Sequence, residues 1–264
     1  MITQSTCEES TARPWLSTGE GVGYCAEAAL EVLRSVISTK RYETFESVLR
    51  RRLTSLVLGI EDLHQSHNGA ACLRSAEGLG IHRVIAAELR HAYPLSDPPS
   101  ESLEIPRLIS TSAHRWLELN RVPSSEGLFD WCRAEGLKVY GAGPRGKLTV
   151  EEIPVDQPIC ILFGNEKDGL RPETLDACDE VFRIPMYGFT ESFNISVSVG
   201  MTLQQLGERK RQLLSAAGQE GELARHTQLE LLAAWALRDL RGGKEILQHK
   251  LGAPQPSPDL QRDR

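Results

Sequence analysis

Short apolar runs alternate with amphipathic stretches through the middle of the chain, between about residues 53 and 214. A run such as PICILFG at 158–164 predicts a buried strand, whereas apolar residues at three- and four-residue spacing predict a helix. Strands are predicted at 53–63, 83–89, 138–143, 158–164 and 180–186, and helices at 68–79, 124–135, 172–179 and 192–214. Residues 114–122 fit either a strand or a turn, and 93–106 fit a loop. The alternation predicts an α/β fold with a mostly parallel sheet that helices cover on both faces.

The regions on either side of this core are also helical in pattern. Residues 23–52 predict a basic helical arm and 215–251 a C-terminal helical extension, with 53–214 between them as the core domain. The two ends, 1–22 and 252–264, are polar and contain proline, which predicts a flexible N-terminal tail and a disordered C-terminal tail.

Charge narrows the classes of function. The 264 residues include 30 Lys and Arg against 36 Asp and Glu, which gives a formal net charge of −6. This balance excludes a strongly basic nucleic-acid coat, but it allows local binding because the field at the site decides affinity. Positive charge is concentrated at 50–52 and 209–211, where it fits either a solvated helix face or contacts to phosphate.

Cysteine spacing and hydropathy bear on the compartment. None of the six cysteines forms a CxxC pair, which argues against a zinc knuckle or a redox dithiol and fits free thiols in a reducing compartment. The N-terminus has no apolar signal core, and no apolar run approaches the roughly 18 residues of a membrane span. We therefore expect a cytoplasmic protein without membrane contact.

Three polar segments lie where predicted strands meet predicted helices, and each is ordinary when taken alone. HNGAACLRSAEGLG at 67–80 places Asn68 as a helix N-cap and Arg74 in the second turn. ILFGNEKDGLRPETL at 161–175 ends a strand in Gly-Asn-Glu, and IPMYGFTESFNISVSVG at 184–200 passes from strand to helix. Because ligands of open parallel sheets bind beyond the carboxyl ends of the strands, these polar residues are site candidates.

Familiar signatures of other chemistries are missing from the sequence. It contains neither GxxxxGK[ST] nor GxGxxG, which disfavours a phosphate loop and a small-molecule enzyme of Rossmann type. No catalytic triad, carboxylate pair or set of metal ligands at the usual spacing competes with the three segments, so no metal is expected.

Taken together and in this order, the segments resemble the SpoU/TrmH branch of the SPOUT RNA 2′-O-ribose methyltransferases. Asn68 with Arg74 resembles the first motif of the family, GNEKDGL the second, and IPM followed by ESFNISVS the third. Three further stretches, STSAHRWLEL, LRRRL and AAWALRDL, bring the resemblance over about 40–250 closest to the enzymes that methylate guanosine 18 of tRNA. Phe193 stands where the family commonly has Leu, and the extension before about residue 35 is longer than expected.

The resemblance implies a fold and a cofactor. The family's sheet ends in a deep trefoil knot, a rare exception to the rule against threaded connections. The knot binds S-adenosylmethionine, and the helix that follows Ser192 joins two copies into a homodimer. By this resemblance, the cofactor contacts fall on backbone groups near Ala142, Gly164, Ile184, Met186 and Phe193.

The resemblance also implies a reaction, the transfer of a methyl group to a ribose 2′-hydroxyl, with guanosine 18 in the tRNA D-loop as the expected target. Arg74 is the leading catalytic residue, either as the base that the family proposal makes it or as a group that binds the RNA phosphate. The second role suits a guanidinium better, because it is effectively always protonated. Asn68 would orient Arg74 or the ribose, Glu166 and Asn194 would hold the site together, and Ser192 would lie near the nucleotide.

Contacts to tRNA phosphates are expected from the basic residues Arg50, Arg51, Arg52, Arg209, Lys210, Arg211, Arg238 and Arg241. Two alternatives stay open at this point. One is a sister enzyme that acts on ribosomal RNA or on another tRNA position. The other is a catalytically retired RNA-binding factor, although the motif residues Asn68, Arg74, Glu166 and Asn194 are intact.

Overall fold

The computed structural model describes residues 14–19, 21–90 and 113–258. Its strands are β1 (Trp15–Gly19), β2 (Val22–Cys25), β3 (Leu56–Glu61), β4 (Arg83–Ala87), β5 (Glu118–Val122), β6 (Lys138–Ala142), β7 (Leu148–Thr149), β8 (Ile159–Phe163), β9 (Glu180–Arg183) and β10 (Gln255–Pro256). Its α-helices are α1 (Ala26–Arg34), α2 (Thr39–Arg50), α3 (Ser66–Gly78), α4 (Ser125–Ala134), α5 (Pro172–Ala177), α6 (Ile195–Ala216), α7 (Arg225–Asp239) and α8 (Gly243–Leu251). The chain divides into a central unit, Arg52–Glu222, and an outer unit formed by the parts on either side of it.

The central unit is built on a parallel sheet of seven strands in the order β5-β4-β3-β8-β6-β9-β7. Apolar residues alternate between the two faces of β3, because successive side chains in a strand point to opposite sides. Leu56, Leu58 and Ile60 join a core with α3 and α6, whereas Val57 joins a second core with α4. The predicted α/β fold with helices on both faces of a parallel sheet is confirmed.

Most predicted elements appear within a few residues of their expected bounds. The ambiguous stretch 114–122 resolves into a short 3-10 helix, Ala113–Trp116, followed by strand β5. The loop expected at 93–106 lies outside the described residues. The helical extension predicted over 215–251 contains two helices: the first ends at Asp239, where Leu240 is extended, and Gly242, with a φ of +70°, is the N-cap of the second.

The outer unit joins the predicted basic arm to the predicted C-terminal extension. Helices α1 and α2 pack against α7, where the rings of Phe45 and Trp235 meet edge to face at 5.9 Å. Arg41 donates hydrogen bonds to both carboxylate oxygens of Asp239, at 3.2 and 2.8 Å. The two flanks are therefore one compact unit and not two separate appendages.

Strands also occupy parts of the predicted tails. β1 pairs with β2, and β10 pairs with the other edge of β2, to form a small antiparallel sheet. The expectation of a flexible tail over 1–22 is therefore wrong for Trp15–Gly19, and that of a disordered tail over 252–264 is wrong for Gln255–Pro256. Backbone pairing orders these segments despite their weak apolar pattern.

The central unit extends beyond its predicted end at 214. The carboxylate of Glu222 accepts hydrogen bonds from the backbone amides of Thr54 and Ser55, at 2.7 and 2.8 Å. It also forms an ion pair with Lys210 at 3.2 Å. Burial raises the pKa of Glu222, but these contacts outweigh it and the net pKa is lowered. They fix the segment after α6 to the start of β3.

None of the helices in the described part of the chain is both long enough and apolar enough to cross a bilayer.

Candidate active site

The carboxylate of Glu166 lies at the start of α3. It accepts hydrogen bonds from the backbone amides of His64 and Gln65, at 3.2 and 3.1 Å, and from Nδ2 of Asn68 at 2.9 Å. Gln65, the N-cap residue of α3, makes no capping hydrogen bond with its own side chain. A carboxylate from the loop after β8 therefore pairs with the backbone amides of the two residues that precede α3 and with the side chain of Asn68 in its first turn.

Asn194 joins this cluster from the third segment. Its Nδ2 donates to Oδ1 of Asn68 at 3.1 Å, and its Oδ1 accepts from the backbone amide of Ser196 at 2.9 Å. Asn194 is thus the N-cap of α6 and a partner of the first motif at the same time. Asn68 is buried and lies inside the first turn of α3, so its predicted role as the N-cap is wrong.

The structure therefore brings together Asn68, Glu166 and Asn194, as the resemblance implied. Along the chain, Glu166 is 98 positions and Asn194 is 126 positions away from Asn68. Arg74 is exposed on the same helix. Arg74 follows Asn68 by six residues, and each residue of an α-helix turns by about 100°. The Arg74 side chain therefore points about 240° around the helix axis from that of Asn68. Ser192 is exposed just before α6, and no hydrogen bond ties it to the described residues of this cluster.

Hydrogen bonds also determine the charge of Glu166. Burial raises the pKa of its carboxyl, but the bonds from Asn68, His64 and Gln65 outweigh burial and hold the pKa below the ordinary value of 4.5. Glu166 is therefore a carboxylate at neutral pH and accepts hydrogen bonds only.

A tight turn shapes the GNEKDGL loop. The backbones of Asn165 and Gly169 exchange two hydrogen bonds, at 3.2 and 3.1 Å, and Gly169 has a φ of +70°. A Cβ atom on Gly164 would lie 2.0 Å from the carbonyl carbon of Gly169. Residue 164 must therefore be glycine because the backbone of Gly169, in the same loop, packs directly against it. The sequence predicts Gly164 only as one of the cofactor contacts.

Three of the five residues expected to contact the cofactor fall at one edge of the sheet. Ala142 ends β6, Gly164 follows β8 and Ile184 follows β9, and these three strands are neighbours. Ala142 and Ile184 are half-buried and pack against the core of the unit. Met186 is half-buried a little further along, and Phe193 is exposed.

Two of the predicted RNA contacts are wrong because their side chains are buried. Arg52 is fully buried and forms an ion pair with Glu77 at 3.0 Å. It also donates to the carbonyl oxygens of Glu77, Ile81 and Trp116, which makes it a structural cation. Lys210 is buried in its ion pair with Glu222.

The other six basic candidates differ in what they contact. Arg209 donates to the carbonyl oxygens of Val150 and Ile153, and Arg211 donates to that of Leu79. These bonds brace the central unit and leave the two side chains half-buried. The remaining four candidates are exposed and belong to the outer unit: Arg50, Arg51, Arg238 and Arg241.

Sequence reasoning missed two buried carboxylates at the end of β3. Glu61 accepts hydrogen bonds from the hydroxyls of Ser125 and Thr174, both at 2.5 Å, and from the amide of Arg171 at 3.3 Å. Asp62 pairs with Arg90 at 2.7 Å. An acidic pair directly after an apolar strand was the available signal. Within the described residues, no group of His, Cys, Asp and Glu side chains is arranged to hold a metal ion.

The fold and the cluster define an α/β protein whose candidate active site lies at the carboxyl edge of a parallel sheet and joins three separate loops. The model of the SpoU rRNA methylase family matches residues 55–204, which include all three loops. The chain belongs to this family, and the resemblance seen in the sequence is confirmed.

The similar proteins include both tRNA and rRNA methyltransferases. The tRNA (guanosine(18)-2′-O)-methyltransferase of Borreliella burgdorferi is 30% identical over 68% of this chain and 78% of its own length. The 23S rRNA (guanosine-2′-O-)-methyltransferase RlmB of Coxiella burnetii is 31% identical over 63% of each chain. Identity at this level establishes the family but does not separate the two substrates.

Solved structures agree on the fold. The TrmH/SpoU tRNA modifying enzyme of A. aeolicus superposes with a TM-score of 0.65 over 80% of this chain and 99% of its own, at 23% identity. The SpoU methyltransferase AviRb of Streptomyces viridochromogenes, crystallised with its cofactor AdoMet, gives a TM-score of 0.50 at 24% identity and covers 58% of this chain and 57% of its own.

The lowered pKa of Glu166 predicts a pH-dependent loss of stability. A carboxyl whose pKa is lower in the folded than in the unfolded chain stabilises the fold fully above its unfolded value. That contribution disappears as pH falls through 4.5 towards the lower folded value. Urea unfolding measures the free energy of unfolding of the native chain and of Glu166→Gln. The difference between the two values should be constant from pH 7 to about pH 5.5 and should shrink below that pH.

The exposed Glu173 of α5 provides the matched control, because Glu173→Gln makes the same substitution away from the hydrogen bonds that Glu166 accepts. A Glu166→Gln difference that stays constant down to pH 3.5 would contradict the assigned hydrogen bonds.

Proposed function

We propose that this chain transfers a methyl group from S-adenosylmethionine to a ribose 2′-hydroxyl of tRNA, with guanosine 18 of the D-loop as the target. The supporting observation is the hydrogen-bonded cluster of Asn68, Glu166 and Asn194, which unites the three motifs of the family in one place. A retired RNA-binding factor would have no need to keep these three side chains hydrogen-bonded to one another.

The end of the sheet suits the proposed cofactor. Half-buried apolar groups at Ala142 and Ile184 offer a surface for an adenine ring, and the main chain at Gly164 follows the neighbouring strand β8. When bound, S-adenosylmethionine supplies an electrophilic methyl group on a sulfonium, which a hydroxyl can attack as it loses its proton. The trefoil knot that would form this pocket stays a prediction.

The residues of this chain then orient the ribose. Arg74 is exposed and permanently charged, so it can bind an RNA phosphate and hold the neighbouring 2′-hydroxyl in line for attack. Asn68 fixes the start of the helix that carries Arg74, and its amide has both Glu166 and Asn194 as partners. Ser192, exposed beside Asn194, would contact the nucleotide.

An exposed apolar stripe supports a homodimer. Phe193, Val197 and Met201 follow each other at four-residue spacing around the start of α6, with 41%, 46% and 39% of each residue exposed. Tyr187 and Phe189, in the loop before them, are almost fully exposed. A second copy of the chain would cover this face, since contiguous apolar patches on soluble proteins mark interaction sites.

The four exposed arginines of the outer unit are the proposed phosphate contacts: Arg50, Arg51, Arg238 and Arg241. A net charge of −6 is compatible with these contacts, because binding requires a positive field only at the contact surface. Since tRNA is the proposed substrate, we also propose a cytoplasmic location.

Loss of Arg74 should abolish methyl transfer. The purified chain is incubated with labelled S-adenosylmethionine and separate tRNA and rRNA transcripts, and the labelled nucleotide is mapped. We expect label at guanosine 18 of tRNA, a loss of roughly a hundredfold or more in Arg74→Ala, and cofactor affinity within about twofold of the native value.

Arg133→Ala, which removes an exposed arginine of α4 that pairs with Asp130 one turn away, is the matched control and should keep full activity. Label in rRNA alone would favour the sister-enzyme reading, and no label in either RNA would favour a retired factor. Near-normal turnover in Arg74→Ala would contradict the role given to this residue.

Loss of the arginine pair at the end of α2 should reduce the salt dependence of tRNA binding. Each lost phosphate contact reduces the slope of log affinity against log salt by about one, so Arg50→Ala with Arg51→Ala should reduce it by about two. Filter binding at several salt concentrations measures this slope.

The control removes the same charge from the amino-terminal edge of the sheet, through Arg133→Ala with Lys138→Ala, and should leave the slope unchanged. Equal reductions in both double variants would show that the effect comes from net charge and not from a local contact.

A further inference from the structure

Asp62, the residue directly after β3, has an unusual backbone conformation. Its φ is +50°, and among the residues that the structure describes it is the only non-glycine with a positive φ. This left-handed region is disfavoured for L-residues, although Asp and Asn tolerate it better than most. Conformations of this kind persist only where the surrounding structure enforces them.

Hydrogen bonds on both sides enforce this one. Oδ1 of Asp62 accepts from the backbone amide of Arg90 at 2.8 Å, and Oδ2 accepts from Nε of the same arginine at 2.7 Å. The amide of Asp62 donates to the carbonyl oxygen of Ala87 at 2.8 Å. The carboxylate is 3% exposed while the Arg90 side chain is 61% exposed, so a buried charge is tied to a cation at the surface.

The turn at Asp62 determines where the next amides point. Leu63 is buried in the core, and His64 and Gln65 follow with their N–H groups directed at Glu166. If residue 62 were extended or right-handed, the following peptides would be rotated and these two donors would be aimed elsewhere. The conformation at one residue thus controls how α3 begins.

We infer that Asp62 is a positioning residue for the methyl-transfer site. Its left-handed backbone, fixed by the pair with Arg90, aims the amides of His64 and Gln65 at Glu166 and so sets the helix that carries Asn68 and Arg74. This role rests on the proposed function. The motif comparison did not point to it, because Asp62 precedes the first motif.

Three variants separate the backbone from the charge. Asp62→Asn keeps the tolerance of a left-handed backbone and an oxygen that can accept from Arg90. Asp62→Gly keeps the backbone freedom alone, and Asp62→Ala keeps neither. We expect kcat with tRNA to fall at least tenfold in Asp62→Ala and to stay within threefold of the native value in Asp62→Asn. The kcat of Asp62→Gly should lie between these two. The KM for S-adenosylmethionine should stay within twofold of the native value in all three variants.

Glu88→Ala is the matched control. It breaks another carboxylate–arginine pair at the same edge of the sheet, with Arg121 at 2.6 Å, at a residue with ordinary backbone geometry. Its kcat should stay within twofold of native. A kcat for Asp62→Ala within threefold of native, or an Asn variant as impaired as the Ala variant, overturns the inference.

Hydrogen exchange tests the same inference without an activity assay. The amides of His64 and Gln65 should exchange at least tenfold faster in Asp62→Ala than in the native chain, and at the native rate in Asp62→Asn and Glu88→Ala. If the native chain methylates no RNA but exchange follows this pattern, the proposed function fails and the positioning role stands. Unchanged exchange in Asp62→Ala overturns the positioning role even in an active enzyme.

Discussion

The hydrogen bonds between Glu166 and the first turn of α3 are the contacts on which the candidate site depends. A single carboxylate after β8 accepts from the two backbone amides just before α3 and from the side-chain amide of Asn68, and Asn68 in turn bonds to Asn194 at the start of α6. Unpaired amides at a helix start have a cost, and a carboxylate also suits the positive end of the helix dipole. The same bonds that complete α3 therefore bring the three motif segments together.

Most of the central fold could be predicted from the sequence, because buried parallel strands and amphipathic helices have distinct apolar periods. PICILFG contains strand β8, and the long pattern from 192 contains α6. The outer unit was harder. Its small sheet pairs residues near 20 with residues near 255, and local patterns carry no information about such distant partners.

The sequence predicted which residues form the candidate site but not how they are arranged. The family motifs identified Asn68, Glu166 and Asn194, but they did not show that Glu166 binds the amides just before α3 or that Gly164 is required by its own loop. Charge was the least reliable guide. Arg50, Arg51 and Arg52 are equivalent in sequence, but the first two are exposed and the third is the buried partner of Glu77. Which arginine is buried depends on packing from residues far along the chain.

The most direct test of this account is whether the cluster acts as one unit in methyl transfer. Glu166→Ala, Asn194→Ala and the double variant are compared by kcat with tRNA, as a double-mutant cycle. Both side chains are hydrogen-bonded to Asn68, so we predict that the double variant is impaired no more than about threefold beyond the worse single variant. Losses that multiply in the double variant would show that Glu166 and Asn194 act independently, which would contradict the account.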